Sequence, residues 1–234
     1  MKKLVVVTGG TKGIGRAILE KFAREGFDLV TCSRKQSELD ELAAELKKKY
    51  SVQVFTKVTD MSAKDQVKAF TDYVTSLQRN IDVLVNNAGY FIPGNVTEEQ
   101  EGSLESMINT NLYSAYYTTR GLVDQMKKNK SGHIFNMCSI ASFMAYPNGG
   151  SYTIAKFALL GFSKVLREEL KKTGIRVTAV MPGATLTASW EGVELPEERF
   201  MKPEDVADAV FSAYALSGRS VVEEMVIRPQ LGDI

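Results

Sequence analysis

The sequence predicts an α/β fold: a doubly wound parallel sheet of about seven strands flanked by helices. Three observations carry that reading. Short β-branched runs alternate with longer amphipathic ones, the pattern of repeated right-handed βαβ crossovers. Many strand runs are apolar on both faces, as a parallel sheet covered by helices requires. No linker, low-complexity segment or further repeat interrupts the alternation, so residues 1–234 read as a single domain. Sheets of this Rossmann type bind ligands in the crevice beyond the carboxyl ends of their strands.

In chain order the predicted strands are "KLVVVT", "FDLVTC", "VQVFTK", "IDVLVN", "GHIFNMC", "GIRVTAV" and "VVEEMVI". Helical patterns lie near residues 13–25, 36–49, 63–79, 98–128, 151–173 and 203–216. A chain of 234 residues buries about 70–75% of its unfolded surface. The 29 Lys and Arg against 28 Asp and Glu leave a formal charge of +1, without the basic stripe of a general nucleic-acid binder. The run Lys47–Lys49 closes a helix, where cations favour the negative end of the dipole. No apolar run approaches the ~20 residues that span a bilayer. The apolar run after "MKK" is too short for a signal peptide and reads as a buried strand, Leu4 to Val7. Cys32 and Cys138 each end a separate β-like run and read as small buried thiols in a reducing cytoplasm. His133, the single histidine, starts a strand and leaves almost no material for a zinc site or a serine–histidine triad, so no metal is expected.

The first strand runs into "TGGTKGIGRA" and then a helix. Glycines there let backbone N–H groups approach a pyrophosphate, and the helix N-terminus supplies positive potential. The spacing Gly9, Gly13, Gly15 departs from G-x-G-x-x-G, since the sixth position counted from Gly13 is Ile18. The second strand ends without the acid that binds the ribose 2′-hydroxyl in NAD enzymes. Ser33 and Arg34 stand there instead, with Lys12 inside the glycine loop. We read this as an acceptor-free site for the 2′-phosphate of NADP(H), which Arg binds through paired hydrogen bonds. Asp60, after the third strand, is a loop or cap carboxylate, a ligand of the adenine amino group, or both. The fourth strand ends in Asn86, Asn87, Ala88 and Gly89, where small residues let a flat ring come close. Asn111 lies within a helical run, as a solvated residue or as the mark of a kink that turns polar groups to the site. Ser139 follows the fifth strand with no histidine or acid to activate it, so it reads as a hydrogen-bond donor to a carbonyl. Tyr152 and Lys156 fall one turn apart on one helical face.

Together these pieces resemble the short-chain dehydrogenase/reductase family, notably bacterial sepiapterin reductase-like, benzil reductase-like and 3-oxoacyl-carrier-protein reductase-like members. The matching elements are T-G-x-x-x-G-x-G at Thr8 to Gly15, N-N-A-G at 86–89, Asn111, Ser139, Tyr152-x-x-x-Lys156 and "MPGATLTAS". The resemblance implies that Tyr152 protonates a carbonyl oxygen as NADPH delivers hydride to its carbon. Lys156 would lower the phenol pKa and hold the nicotinamide ribose, Ser139 would hold the carbonyl, and Asn111 would hold a relay water. It implies cofactor contacts from Gly9, Thr11, Lys12, Gly13, Ile14, Gly15, Ser33, Arg34, Asp60, Met61, Asn87, Ala88, Gly89, Tyr152, Lys156, Pro182, Gly183, Thr185 and Thr187. It also implies a homodimer or homotetramer built through the long helices near 98–128 and 151–173.

Aromatic residues expected around the crevice are Tyr90, Phe91, Phe143, Tyr146 and Trp190, the last in a segment near 184–202 suited to a substrate lid. They favour a bulky apolar or aromatic ketone or diketone as the small-molecule substrate, with reduction of a 3-oxoacyl group on acyl carrier protein as the alternative. A non-catalytic NADP(H) sensor is the remoter alternative, since a pure sensor needs no proton donor.

Overall fold

β1 (Leu4–Thr8) is buried at every position, as an inner strand of a covered parallel sheet must be. In the computed structural model, which describes residues 1–234 apart from Glu191, Val193 and the side chain of Ser189, β1 is an inner strand of a seven-stranded sheet, third from one edge. β2 (Asp28–Ser33) and β3 (Val54–Val58) extend it on one side. β4 (Val83–Asn86), β5 (Gly132–Met137), β6 (Ile175–Pro182) and β7 (Glu224–Ile227) extend it on the other. The order is β3-β2-β1-β4-β5-β6-β7 and every neighbouring pair is parallel. The chain reverses its direction of travel between β1 and β4, and the crevice opens at that switch point.

Alternation along β1 assigns its side chains to two cores. Val5 and Val7 pack with Phe22, Leu42 and Val206, beneath α1 (Gly13–Arg24), α2 (Gln36–Tyr50) and α7 (Pro203–Ala215). Leu4 and Val6 pack with Phe70, Leu122 and Leu166, beneath α3 (Lys64–Ser76), α5 (Ser114–Asn129) and α6 (Gly150–Leu170).

The helix expected over 98–128 differs most from prediction. It begins only at α4 (Ser103–Ile108), because residues before it form turns and Gly102 takes a left-handed φ of 89°. A π-helical turn, Asn109–Tyr113, then separates α4 from α5. The last strand is shorter than "VVEEMVI", and β6 runs further, through Pro182. The expected lid segment is tied at its base by a bridge between Thr185 and Met201, with Leu186 N–H donating to the Met201 carbonyl at 2.9 Å. Glu191 and Val193 of that segment lie outside the described residues. Among the described residues no helix is long and apolar enough to cross a membrane, and no three metal-ligating side chains gather.

Candidate active site

The crevice is floored by two loops that hold each other. Thr8 Oγ1, at the end of β1, accepts the Asn87 and Ala88 N–H groups at 3.0 Å each. The Asn87 amide donates to the Thr8 and Gly9 carbonyls, both at 3.0 Å. Asn86 points elsewhere, donating to Asn136 Oδ1 at 2.8 Å and Thr119 Oγ1 at 3.0 Å. The asparagine pair therefore divides its work: one ties the strands, the other the loops.

Gly9 and Gly13 take φ of 68° and 54°, a backbone that side chains resist. A Cβ at Gly15 would stand 2.4 Å from the Gly9 carbonyl oxygen, so only glycine keeps this turn tight. The first turn of α1 has no side-chain cap and no acidic residue, leaving its N–H groups suited to an anion. Gly13 faces the Thr187 methyl, at 3.1 Å from an added Cβ, so the start of the lid segment lies over the glycine loop. Ile14 is part-buried against the core. Thr185 is buried, its hydroxyl given to the Gly183 carbonyl at 3.0 Å, while Gly183 and Pro182 close the end of β6.

At the adenosine end the arrangement corrects one expectation. The site is not acceptor-free, because the Glu38 carboxylate folds back onto the glycine loop. It accepts the Thr11 hydroxyl at 3.2 Å and pairs with Lys12 at 3.1 Å and Lys35 at 3.4 Å. The reason is helical geometry: the first turn of α2 carries Glu38 back toward the loop that its position in sequence appears to leave behind. Ser33 spends its hydroxyl on its own turn, donating to the Lys35 carbonyl at 3.2 Å. Arg34 is exposed, with no carboxylate in ion-pair distance among the described residues. Asp60 accepts Ser62 N–H at 2.9 Å and Ser62 Oγ at 2.7 Å, and these bonds together with Arg34 hold it below the ordinary carboxylate range. It closes a loop turn before α3 rather than capping the helix, whose first residue is Lys64. Met61 is buried against Cys32.

At the nicotinamide end, Asn111 is buried inside the π-helical turn. Its amide grips both backbone groups of Tyr90, accepting Tyr90 N–H at 3.3 Å and donating to the Tyr90 carbonyl at 3.1 Å. A Cβ at Gly89 would meet Asn111 Oδ1 at 2.5 Å and approach Lys156 Nζ to 3.6 Å. The turn thus joins Asn111, the N-N-A-G loop and Lys156 in one contact set. Ser139 starts a single 3₁₀ turn, its Oγ accepting Ala141 N–H at 3.2 Å. Burial pushes the Tyr152 phenol up to about 12, and the nearby Ser139 hydroxyl offsets only part of that rise. Burial pulls Lys156 down to about 8, and its ammonium donates to the Met137 carbonyl at 2.8 Å, 5.5 Å from the Tyr152 ring centre. The expected lowering of the phenol by Lys156 is therefore not what this geometry gives. Burial is the largest cause at both groups, raising the phenol and lowering the ammonium.

The aromatic residues separate. Phe91 stacks edge-on against Tyr152 with ring centres 5.0 Å apart. Tyr146 is half-buried, and burial together with nearby Tyr152 pushes its phenol up to about 12. Phe143 is exposed, the Tyr90 hydroxyl is bound to Ser106, and Trp190 packs on Phe200 with ring centres 5.2 Å apart. Sequence reasoning missed Glu99, which accepts Ser151 N–H at 2.9 Å and the Ser151 hydroxyl at the start of α6, next to Tyr152. One of three glutamates in "TEEQEGS" carries no signal of that clamp; only the fold brings it there.

A glycine cradle at a helix N-terminus, joined across a switch-point crevice to a Ser–Tyr–Lys constellation, defines a dinucleotide-dependent oxidoreductase site. The comparisons agree: the model of the short chain dehydrogenase family matches residues 3–198, and the chain belongs to that family. It is 35% identical over 242 aligned positions to a sepiapterin reductase from Chlorobaculum tepidum, covering 100% of this chain and 99% of that protein. Among solved structures it is similar to an alcohol dehydrogenase from the archaeon Thermococcus sibiricus complexed with 5-hydroxy-NADP. There the TM-score is 0.92 at 29% identity, over 98% of this chain and 97% of that one. It is also similar to L-sorbose reductase from Gluconobacter frateurii complexed with NADPH and L-sorbose, with a TM-score of 0.88 at 30% identity over 97% and 95% of the two chains.

Proposed function

We propose that the protein reduces a ketone or diketone to a secondary alcohol with NADPH, Tyr152 being the proton donor. The observation that carries this reading is the Lys156 ammonium, held on the Met137 carbonyl at 2.8 Å and 5.5 Å from the Tyr152 ring centre, where β5 runs into Ser139. The glycine cradle, which an added Cβ would block, fits a pyrophosphate, and two structural relatives hold NADP-type cofactors. Gly9 to Gly15 would hold the phosphates, Arg34 and Lys12 the 2′-phosphate, Asp60 and Met61 the adenine, Asn87 to Gly89 and Pro182 to Thr187 the nicotinamide half. When bound, NADPH supplies the hydride.

Ser139 donates a hydrogen bond to the substrate carbonyl oxygen and so favours the charge that develops there. Tyr152, which burial keeps protonated at neutral pH, passes its phenolic proton to that oxygen. The Lys156 ammonium favours the phenolate left behind and holds the ribose hydroxyls, and Asn111 anchors the water that returns the proton. Phe91 and Tyr146, beside Tyr152, supply the apolar wall that suits an aromatic substrate. We also propose that α6 joins two copies of the chain. Ile154, Phe157 and Val165 are exposed along one of its faces, where Gly161 leaves open space. Buried free thiols at Cys32 and Cys138 fit a reducing cytoplasm.

The test is NADPH consumption with an aromatic diketone, a sepiapterin-type side-chain ketone, an acetoacetyl thioester and a keto sugar. The diketone is expected to turn over fastest, and Tyr152→Phe to lower kcat about a thousandfold while cofactor affinity is kept. Preference for the thioester would move the protein to acyl-carrier chemistry, and activity on the keto sugar alone would overturn the aromatic pocket. NADPH binding without consumption on any of these substrates would leave a sensor rather than an enzyme, and turnover unchanged in Tyr152→Phe would remove Tyr152 as the proton donor.

A further inference from the structure

The Glu38 carboxylate pairs with Lys12, a cation assigned above to the 2′-phosphate, and with Lys35 beside it. It is the inner group of the cluster: the Glu38 side chain is 25% exposed, against 67% for Lys12 and 71% for Lys35. Both ammonium groups and the Thr11 hydroxyl are turned onto it. Ser33 is committed to its own turn and Asp60 to Ser62. Arg34 is then the cation of this rim with no carboxylate in ion-pair distance among the described residues, while Lys12 is already neutralised.

We propose that Glu38 is a specificity-determining residue, a carboxylate that competes with the 2′-phosphate of the cofactor for Lys12 and Lys35. The inference rests on the NADP(H) reading above and adds a group that opposes it. A dianionic phosphate entering beside Glu38 meets a like charge and must displace the carboxylate from Lys12 or share that ammonium with it. A 2′-hydroxyl meets neither obstacle, and it donates a hydrogen bond to a carboxylate. Glu38 therefore narrows the discrimination between NADP(H) and NAD(H) below what Arg34 and Lys12 would give alone. The opposite role is also definite: if Glu38 acts as a strut that aims Lys12 at the phosphate, its removal weakens NADP(H).

Calorimetric titration of wild type and Glu38→Gln with NADP⁺ and with NAD⁺ separates these by sign. Glutamine keeps the size of the side chain and an acceptor for Thr11, and removes only the charge. The proposal expects NADP⁺ to bind about fivefold more tightly to Glu38→Gln at low salt, the gain shrinking as salt screens the repulsion. NAD⁺ is expected to bind the variant equally or more weakly. A weaker NADP⁺, an unchanged NADP⁺, or a parallel gain for both dinucleotides would overturn it. The wild-type preference between the two reports on the cofactor reading itself, and the change on substitution reports on Glu38. Wild type favouring NAD⁺, with the variant moving toward NADP⁺, would sink the former and uphold the latter. If neither dinucleotide binds either protein, both fall.

Discussion

β5 has His133 near its amino end and runs into Ser139 beyond its carboxyl end, and the polar groups around those two ends are held very differently. At the amino end, charges end on fixed partners. Asp28 pairs with Arg79 at 3.0 Å and accepts Gln53 N–H at 2.8 Å, while Arg79 also donates to the Lys2 carbonyl at 2.7 Å. Arg176 caps the last carbonyls of α7 at Tyr214 and Leu216, and Lys3 reaches the Tyr214 hydroxyl. At the carboxyl end, hydroxyls, a phenol and an ammonium converge with capacity to spare: among the described residues Lys156 makes one hydrogen bond of its possible three. Both ends contain strongly shifted groups, so a shift alone does not mark function. What distinguishes them is where the shift lands and what the group faces. His133 is driven to about 2, far from any working pH, against Phe135 in the core. Lys156 stops at about 8 and faces the crevice loop at Gly89.

The largest effect that would sharpen this contrast belongs to the amino end. Arg79→Ala strands the buried Asp28 carboxylate, and stability measured by urea unfolding is expected to drop by about 3 kcal/mol. Turnover per folded molecule should not change, because nothing in the crevice touches Arg79. A loss of turnover in the folded variant would break the separation between the two ends.

Next in size is Lys156→Met, which keeps an apolar stem and removes the ammonium. We expect kcat to fall about a hundredfold, or about 2.7 kcal/mol of barrier, with the fold retained. The sign of the pH dependence follows from the shift: the ammonium is present below about 8 and is lost above it. Reduction measured as kcat/KM should therefore decline as pH rises through about 8 in wild type, and the variant should lack that limb. A wild-type profile flat to pH ~10 would remove Lys156 from the chemistry.

How much of this was legible beforehand divides along the same lines. The seven strands, their crossovers and the glycine turn follow from local pattern, since periodicity and glycine placement act within a few residues. Asn111 was legible only as a choice between a solvated residue and a kink, and its burial in the π-helical turn, with the amide on Tyr90, decides against solvation. Glu38 was not, because its meeting with Lys12 depends on the angle at which α2 leaves β2, and spacing along the chain conceals it. Glu99 was hidden for the same reason, 52 residues from Ser151. The direction of the Tyr152 shift was misjudged because sequence shows which charge is near but not how much water both groups lose.

The smallest effect tests the claim that His133 is structural. The ring is fully buried; Nε2 meets Thr178 Oγ1 at 2.7 Å and Nδ1 has no partner among the described residues, so the fold favours neutral imidazole. Its pKa falls from 6.5 to about 2 on folding, so below pH 6.5 the unfolded chain binds a proton that the native state refuses. This contribution is complete above pH 6.5 and is lost as pH falls toward about 2. At about 1.4 kcal/mol per unit, going from pH ~7 to pH ~5 should cost about 2 kcal/mol of unfolding free energy. His133→Phe, which cannot titrate, should lose that part of the slope while keeping the pH profile of turnover. If instead the profile of turnover moved with His133, the two ends of β5 would be coupled, and the division between a structural end and a chemical end would fail.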